Sequence, residues 1–369
     1  MEHLINKYDV AIIGGGATGT ATFRDLSLRG FKSILLEKNT IGTGTTHNCH
    51  RNLVGGMRYV IKDPTTAINC ATENKILSKI APSIVDKNNN YHVGFRNNYT
   101  KKALEAAKEI GIKFTEKDIE TVRNEIPVLS KNIDIAIETE DKNFNAIGFC
   151  SLNCKSAKAI GGVLSDNTEI HKINRCNNGY ELYTDKEAIF TKYIINSTGA
   201  WINSIACIVN VVIPIEYFQG TIIIKKTLSQ RGLQFFHEPS DADAYIVHDG
   251  EAWLGTTSVK IETPYDIKPE PLVEDYLTKK FETIIPSVTQ GHVMKKIVGI
   301  RALYKNTDDN NGREHTRDFR IIENPQGFLH IIGGKLTTAR LMAEKISDLI
   351  CAKAEIEVPC RTHIEPLPP

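Results

Sequence analysis

Two glycine-rich turns near opposite ends of this 369-residue chain could each hold negative charge. The first lies within residues 10–21, VAIIGGGATGTA, and the second within residues 331–340, IIGGKLTTAR. Backbone N–H groups at such a turn, and the helix N-terminus that follows it, bind anions. Because one phosphate group needs only one such turn, the pair predicts a ligand that carries negative charge at two separate points.

The first turn has the surroundings of a dinucleotide-binding fingerprint. The sequence predicts a strand over 8–13, a helix over 17–29 and a second strand over 33–36. In this G-x-G-x-x-G pattern the glycines allow a tight turn, close approach of a pyrophosphate and close helix packing, and the later acid binds ribose hydroxyls. The residues predicted to bind the cofactor here are Gly14, Gly16, Ala17, Thr18, Gly19 and Glu37.

The loop after the second strand favours a flavin over a nicotinamide. Residues 40–52, TIGTGTTHNCHRN, are rich in hydroxyl groups where a nicotinamide domain would pass to its next helix. Lys38, Thr45 and Thr46 are therefore predicted to contact FAD, whose ribityl chain runs onward from the pyrophosphate. We expect the FAD to be bound non-covalently.

The second turn suits the other end of a flavin. A strand is predicted over 328–332 and a helix over 337–350, without the spacing of a triphosphate-binding Walker loop. A reduced flavin carries negative charge at the N1/C2=O end of its ring, which a helix N-terminus and a lysine stabilise. The residues predicted to do so are Gly333, Gly334, Lys335, Leu336, Thr337 and Thr338.

A third element lies between the two turns. The strand in KYIINSTGAWI, residues 192–202, ends in a segment that resembles the A-T-G element of flavoproteins of the glutathione-reductase type. Thr198, Gly199 and Trp201 are therefore added to the predicted FAD contacts. Ile170 joins them from a strand predicted over 168–174.

The overall composition excludes some classes of protein. Lys plus Arg is 45 and Asp plus Glu is 44, so the net charge of +1 offers no basic surface for nucleic acid. The best membrane candidate, residues 201–218, contains Asn, Pro and Glu and is a poor spanning helix. The eight cysteines are scattered, so we expect no metal site and a cytoplasmic protein with reduced thiols.

The motifs together resemble the FAD-dependent glycerol-3-phosphate dehydrogenases along essentially the whole chain. They include GGMRYV, STGAWI, LGTTSV, GIRAL, REHTRDF and GGKLTTARLMAEK. PSDAD and the closing Cys351 and Cys360 are more similar to the large subunit of the anaerobic enzyme than to the aerobic enzyme.

This resemblance implies an α/β fold of the D-amino-acid-oxidase type. A Rossmann-like, discontinuous FAD-binding domain would comprise residues 1–80, 145–215 and 296–369. An antiparallel-sheet substrate domain would comprise residues 81–144 and 216–295.

The resemblance also implies a reaction, the oxidation of sn-glycerol 3-phosphate to dihydroxyacetone phosphate with hydride transfer from C2 to flavin N5. The implied catalytic residues are Arg58, Tyr59, Thr256, Arg301, Arg317 and Lys335. The aerobic enzymes have a histidine where Val54 stands, and FQGTIII lacks another expected histidine, so no general base is assigned.

The route of the electrons and two other functions stay open at this point. The chain stops at Pro369 without the C-terminal redox extension of the anaerobic large subunit, so a quinone or a separate protein is the expected acceptor. This allows peripheral contact with the inner face of the membrane. The alternatives are an oxidase of a 2-hydroxy acid or secondary amine, and a non-catalytic flavin-bound scaffold for an electron-transfer partner.

Overall fold

The structure is a computed structural model, and it describes residues 6–238, 243–305 and 318–369. Its strands are β1 (Asn6–Ile13), β2 (Ser33–Leu36), β3 (Asn52–Leu53), β4 (Val85–Gly94), β5 (Phe114–Glu116), β6 (Ile135–Phe144), β7 (Val163–Ser165), β8 (Ile170–Cys176), β9 (Gly179–Thr184), β10 (Ala188–Asn196), β11 (Ile215–Lys226), β12 (Leu233–Phe235), β13 (Ala244–His248), β14 (Glu251–Gly255), β15 (Val259–Ile261), β16 (Lys295–Tyr304), β17 (Phe319–Glu323) and β18 (Phe328–Gly333). Its helices are α1 (Ala17–Leu28), α2 (Pro64–Ile80), α3 (Asn98–Glu109), α4 (Ile119–Glu125), α5 (Ala146–Ala159), α6 (Ile202–Ala206), α7 (Val273–Glu282) and α8 (Ala339–Lys353).

The first sheet has the order β17-β18-β10-β1-β2-β7, with the β8–β9 hairpin attached to β10. Alternate side chains of β1 enter two different cores, as the pleat of a strand requires. Val10 and Ile12 pack with α1, α5 and α8, whereas Ala11 and Ile13 pack with the β8–β9 hairpin. Both faces of the sheet are therefore covered, which explains the continuous apolar run of β1.

The three parallel strands β18, β10 and β1 are neighbours, so their carboxyl ends lie at one edge of the sheet. Ile13 at the end of β1 is in register with Asn196 of β10, and Asn196 is in register with His330 of β18. The sheet thus brings together two glycine turns that lie more than three hundred residues apart in the sequence.

The second sheet has the order β15-β11-β14-β13-β12-β4-β6-β3, with β16 paired to β11 and β5 paired to β6. Its pairs are antiparallel except for β12 with β4. Strands β11, β13 and β14 lie in the region where the resemblance implied an antiparallel sheet. The fold class is confirmed, and the division of the chain into two domains stays a prediction.

One predicted helix begins later in the structure than expected. The helix expected from Thr337 begins at Ala339, because Lys335–Thr338 form a turn in which the Lys335 N–H donates to Thr338 Oγ1 at 3.0 Å. The apolar segment 201–218 divides into short helical turns and the start of β11. Across the described ranges, no helix is both long and apolar enough to cross a bilayer.

A buried ion pair joins α8 to α2. Arg340 donates two hydrogen bonds to the Glu73 carboxylate, at 2.7 and 2.5 Å, and its side chain is 4% exposed while that of Glu73 is 2% exposed. Helix α2 follows the 3₁₀ turn Met57–Tyr59, and α8 follows the second glycine turn. The ion pair therefore fixes the position of the 3₁₀ turn relative to the second glycine turn.

We predict that Arg340→Met lowers the free energy of unfolding by about 3–5 kcal/mol, because Glu73 would stay buried without its cation. Urea denaturation followed by circular dichroism measures this loss. The double variant Glu73→Leu/Arg340→Met should recover much of it. Arg361→Ala, which removes an exposed pair with Glu365, is the control and should change stability by less than about 0.5 kcal/mol. Equal stability of Arg340→Met and the control would contradict the prediction.

Candidate active site

A cavity of about 890 Å³ lies between the two sheets. Its walls come from the carboxyl ends of β1, β10 and β18, the loop 42–52, and strands β11 and β16. Every segment with a predicted cofactor or catalytic residue in the described chain contributes to it or packs directly behind it. The cavity is therefore the candidate active site.

Close backbone packing shapes the first turn. Gly14 has φ +101°, a conformation that residues with a side chain rarely adopt. A Cβ on Gly14 would lie 2.9 Å from the carbonyl oxygen of Ser197, and a Cβ on Gly19 would lie 1.8 Å from the carbonyl oxygen of Gly14. The Ser197 hydroxyl donates to the Ile13 carbonyl at 2.9 Å. This packing fixes the N-terminus of α1 against the cavity.

Glu37 stands at the end of β2 with its carboxylate in the cavity wall. Its Oε2 accepts a hydrogen bond from the Gly15 N–H at 2.7 Å, and its Oε1 accepts one from the Asn39 N–H at 2.8 Å. Each carboxylate oxygen can accept a second hydrogen bond. Glu37 is therefore oriented by the backbone and still able to bind ribose hydroxyls.

The hydroxyl-rich loop connects the first turn to the second sheet. Thr46 Oγ1 accepts a hydrogen bond from the Ala17 N–H at 3.0 Å, at the start of α1. Thr45 Oγ1 donates to the Ile300 carbonyl of β16 at 3.2 Å. The loop thus holds the cofactor-binding turn and the strand that bears Arg301 in a fixed relation.

The second turn places the Lys335 ammonium group against Tyr59 at the cavity. Gly333 and Gly334 have φ values of +81° and +72°, which let the chain turn sharply after β18. The Lys335 ammonium group donates to the Tyr59 hydroxyl and lies 4.0 Å from the centroid of the Tyr59 ring. A positive charge and a phenol are thereby fixed beside the turn.

Arg301 is held by the turn that follows β14. Its Nη2 donates to the Thr257 carbonyl at 2.8 Å. A Cβ on Gly220 would lie 2.6 Å from Thr256 Oγ1 and 3.2 Å from Arg301 Nη2. The absence of a side chain on Gly220 of β11 therefore leaves room for the Thr256 hydroxyl and the Arg301 guanidinium group.

Arg58 is held by buried polar groups of the second sheet. Its Nη2 donates to Gln234 Oε1. Asp141 lies nearby and accepts hydrogen bonds from His92 Nε2 at 3.1 Å and Thr139 Oγ1 at 2.5 Å. Burial alone would raise the pKa of Asp141, but the bond and charge of His92, with Thr139 and Arg58, lower the pKa to about 2. A permanent anion thus balances the Arg58 charge.

The structure places most of the predicted site residues at one cavity. Most residues that were predicted to contact FAD line the cavity: Gly14, Gly16, Ala17, Thr18, Glu37, Lys38, Thr45, Thr46, Ile170, Thr198, Gly199, Trp201, Gly333, Gly334, Lys335, Leu336 and Thr337. Five residues that the resemblance implied for catalysis also line the cavity: Arg58, Tyr59, Thr256, Arg301 and Lys335. Gly19 and Thr338 do not line it and instead pack behind the two turns. Arg317 lies outside the described residues.

The residues predicted for the site from the sequence did not include two polar residues that the structure places at or beside it. Gln234, the partner of Arg58, lies on a three-residue strand that carries no motif. His50 lines the cavity from within the hydroxyl-rich loop. The signal for His50 was present, because a histidine stood in a loop already expected to reach the flavin.

The protein groups around the cavity match the parts of FAD that they would bind. The first turn offers backbone N–H groups and a helix N-terminus for a pyrophosphate, and Glu37 offers oxygens for ribose. The second turn and Lys335 offer positive charge for the N1/C2=O end of the ring. Gly16 lines the cavity, and a Cβ there would lie 3.2 Å from Thr46 Oγ1.

Residues 9–349 match the family model described as DAO, FAD dependent oxidoreductase. The match covers most of the chain and includes both glycine turns. The chain therefore belongs to this family of FAD-dependent oxidoreductases, and FAD is its cofactor.

Individual relatives confirm the resemblance that the motifs indicated. A subunit of the anaerobic glycerol-3-phosphate dehydrogenase of Haloferax volcanii is 30% identical over 97% of this chain and 66% of its own length. The corresponding protein of Haemophilus influenzae is 31% identical over 98% of this chain and 67% of its own length. This chain thus spans about two-thirds of the length of these relatives.

A solved structure supports the fold. The dithionite-reduced L-α-glycerophosphate oxidase of Mycoplasma pneumoniae, with FAD bound, has a TM-score of 0.81 to this chain. The two are 18% identical, and the match covers 99% of this chain and 100% of that one.

We predict that Gly16→Val yields colourless protein, because the added side chain would occupy the position of the pyrophosphate. The ratio of flavin absorbance to protein absorbance after purification measures this loss. Gly111→Asn is the control, since Gly111 has φ +75°, which asparagine tolerates, and a Cβ there would have no heavy atom within 4 Å. A yellow Gly16→Val protein with wild-type flavin content would show that the pyrophosphate lies elsewhere.

Proposed function

We propose that this protein oxidises sn-glycerol 3-phosphate to dihydroxyacetone phosphate. The observation that carries the proposal is the presence of two arginines, Arg58 and Arg301, in the same cavity as both glycine turns. The similarity to glycerol-3-phosphate dehydrogenase subunits over nearly the whole chain supports the same substrate.

The two arginines suit a phosphate dianion. A planar guanidinium group can donate two parallel hydrogen bonds to phosphate oxygens. Arg58 and Arg301 come from different segments, and each is held by a protein oxygen, that of Gln234 or that of Thr257. Arginines oriented in advance lose little side-chain entropy when the phosphate binds.

The remaining groups would orient the glycerol part of the substrate. Thr256 and Tyr59 place hydroxyl groups at the cavity, and either can bind a substrate hydroxyl. FAD, when bound, supplies the acceptor for the hydride that leaves C2. Lys335 and the N–H groups of the second turn would stabilise the negative charge that this transfer brings to the flavin ring.

The electrons would then leave to a quinone or to a separate protein. The similarity to subunits of anaerobic dehydrogenases supports an acceptor other than dioxygen. Such an acceptor would need access to an edge of the bound flavin ring.

We expect glycerol 3-phosphate to bleach the visible absorption band of the bound flavin under anaerobic conditions. Sarcosine and 2-hydroxyglutarate should reduce it far more slowly, because each presents a carboxylate in place of a phosphate dianion. After reduction, stopped-flow mixing should show faster reoxidation by a phenazine dye than by air. Faster reduction by either carboxylate would favour the oxidase alternative, and no reduction by any of the three would favour a scaffold.

We expect Arg301→Ala to lower kcat/KM for glycerol 3-phosphate by roughly 30- to 1000-fold. This corresponds to about 2–4 kcal/mol for one lost charge-assisted contact with phosphate. Flavin content should stay near that of the wild type. Arg96→Ala is the matched control, since Arg96 is exposed and pairs with Glu116. A near-wild-type kcat/KM in Arg301→Ala would remove Arg301 from the site.

A further inference from the structure

Oxidation of an alcohol requires a base as well as a hydride acceptor. When the C2–H bond breaks, the hydroxyl on C2 must lose its proton, and a neutral imidazole near physiological pH can accept it. Val54, which follows β3, lines the cavity, but a valine side chain cannot take a proton. His50 is the histidine among the described residues that line the cavity.

The imidazole of His50 has a buried nitrogen atom without a hydrogen-bond partner among the described residues. This atom is Nε2. Buried polar atoms in native proteins are nearly always hydrogen-bonded, so an exception needs an explanation. His50 also lines the cavity, where a bound ligand could supply this partner.

The backbone around His50 is firmly held. The His50 carbonyl accepts a hydrogen bond from His248 Nε2 at 3.0 Å. The His248 ring packs edge-on against Trp253, with 5.1 Å between ring centroids. The guanidinium group of Arg51, the next residue along the loop, lies 4.7 Å from the centroid of the Trp253 ring. These contacts fix the segment that carries the imidazole.

Burial and nearby cations both favour the neutral form of the His50 ring. Burial, followed by the charge of Arg58, lowers the pKa of His50 to about 3; His248 and Arg301 act in the same direction, and Asp243 opposes them. A phosphate dianion bound to the two arginines would offset their charge and raise the pKa of the ring. Binding of the substrate would therefore make the imidazole a stronger base.

We propose that His50 is the general base of the reaction, a role that rests on the proposed function. The C2–H bond breaks and its electron pair leaves as hydride to FAD. The O–H bond of the C2 hydroxyl also breaks, and its proton passes to His50 Nε2. The electron pair of that O–H bond then forms the C=O bond of dihydroxyacetone phosphate. Atoms and charge balance without any further reactant.

Tyr59 is the competing group, because its hydroxyl contacts the Lys335 ammonium group in the same cavity. A phenol beside a lysine can also accept a proton in catalysis. Tyr59→Phe is therefore the comparison variant for His50→Asn.

The experiment measures anaerobic flavin reduction at saturating glycerol 3-phosphate across a range of pH. We expect His50→Asn to keep its FAD and to reduce it about 10²- to 10⁴-fold more slowly than the wild type at pH 7. Its rate should rise steadily with pH as hydroxide replaces the base. His292→Asn is the control, since His292 is exposed, does not line the cavity and should behave as wild type.

A second measurement does not depend on turnover. In the oxidised holoenzyme labelled with ¹⁵N-histidine, the cross-peak missing from His50→Asn identifies the His50 ring. Inorganic phosphate should raise the pKa read from this cross-peak in the wild type. If His50→Asn fails to fold, His50→Gln can make the assignment.

Several results would overturn the inference. Wild-type reduction rates in His50→Asn, or a His50 resonance that phosphate leaves unchanged, would exclude His50 as the base. A pH dependence lost in Tyr59→Phe and retained in His50→Asn would assign the role to Tyr59. If glycerol 3-phosphate fails to reduce even the wild-type flavin, the proposed function falls and the role of His50 falls with it.

Discussion

Close backbone packing at the carboxyl ends of β1, β10 and β18 is the constraint on which the site depends. A Cβ on Gly14 would collide with the backbone of Ser197, and a Cβ on Gly19 would collide with the backbone of Gly14. Because these three strands are parallel neighbours in one sheet, the same edge also receives the second glycine turn. One flavin can therefore meet two anion-binding turns from opposite ends of the chain.

The second sheet helps to hold the two arginines that we propose bind the phosphate. Thr45 and Thr46 connect the two sheets, because one contacts β16 and the other contacts the start of α1. Arg58 and Arg301 are then held by oxygens of the second sheet. The cofactor turn and the phosphate-binding groups thus keep a fixed relation, which hydride transfer requires.

Local signals explain what could be predicted from the sequence. The strand–turn–helix of the first fingerprint depends on neighbouring residues, and β2 has the predicted bounds. The role of Arg58 came from family resemblance, because its contact with Gln234 depends on the pairing of β12 with β4, which lie far apart in the sequence. The unpartnered state of the His50 Nε2 atom likewise results from tertiary packing, which no local pattern encodes.

A crystal structure of the oxidised holoenzyme with dihydroxyacetone phosphate would test the two-arginine phosphate site most directly. We predict phosphate oxygens within about 3.2 Å of the guanidinium groups of both Arg58 and Arg301. We also predict the C2 carbonyl oxygen within hydrogen-bond distance of His50. A phosphate bound away from both arginines would contradict the central claim.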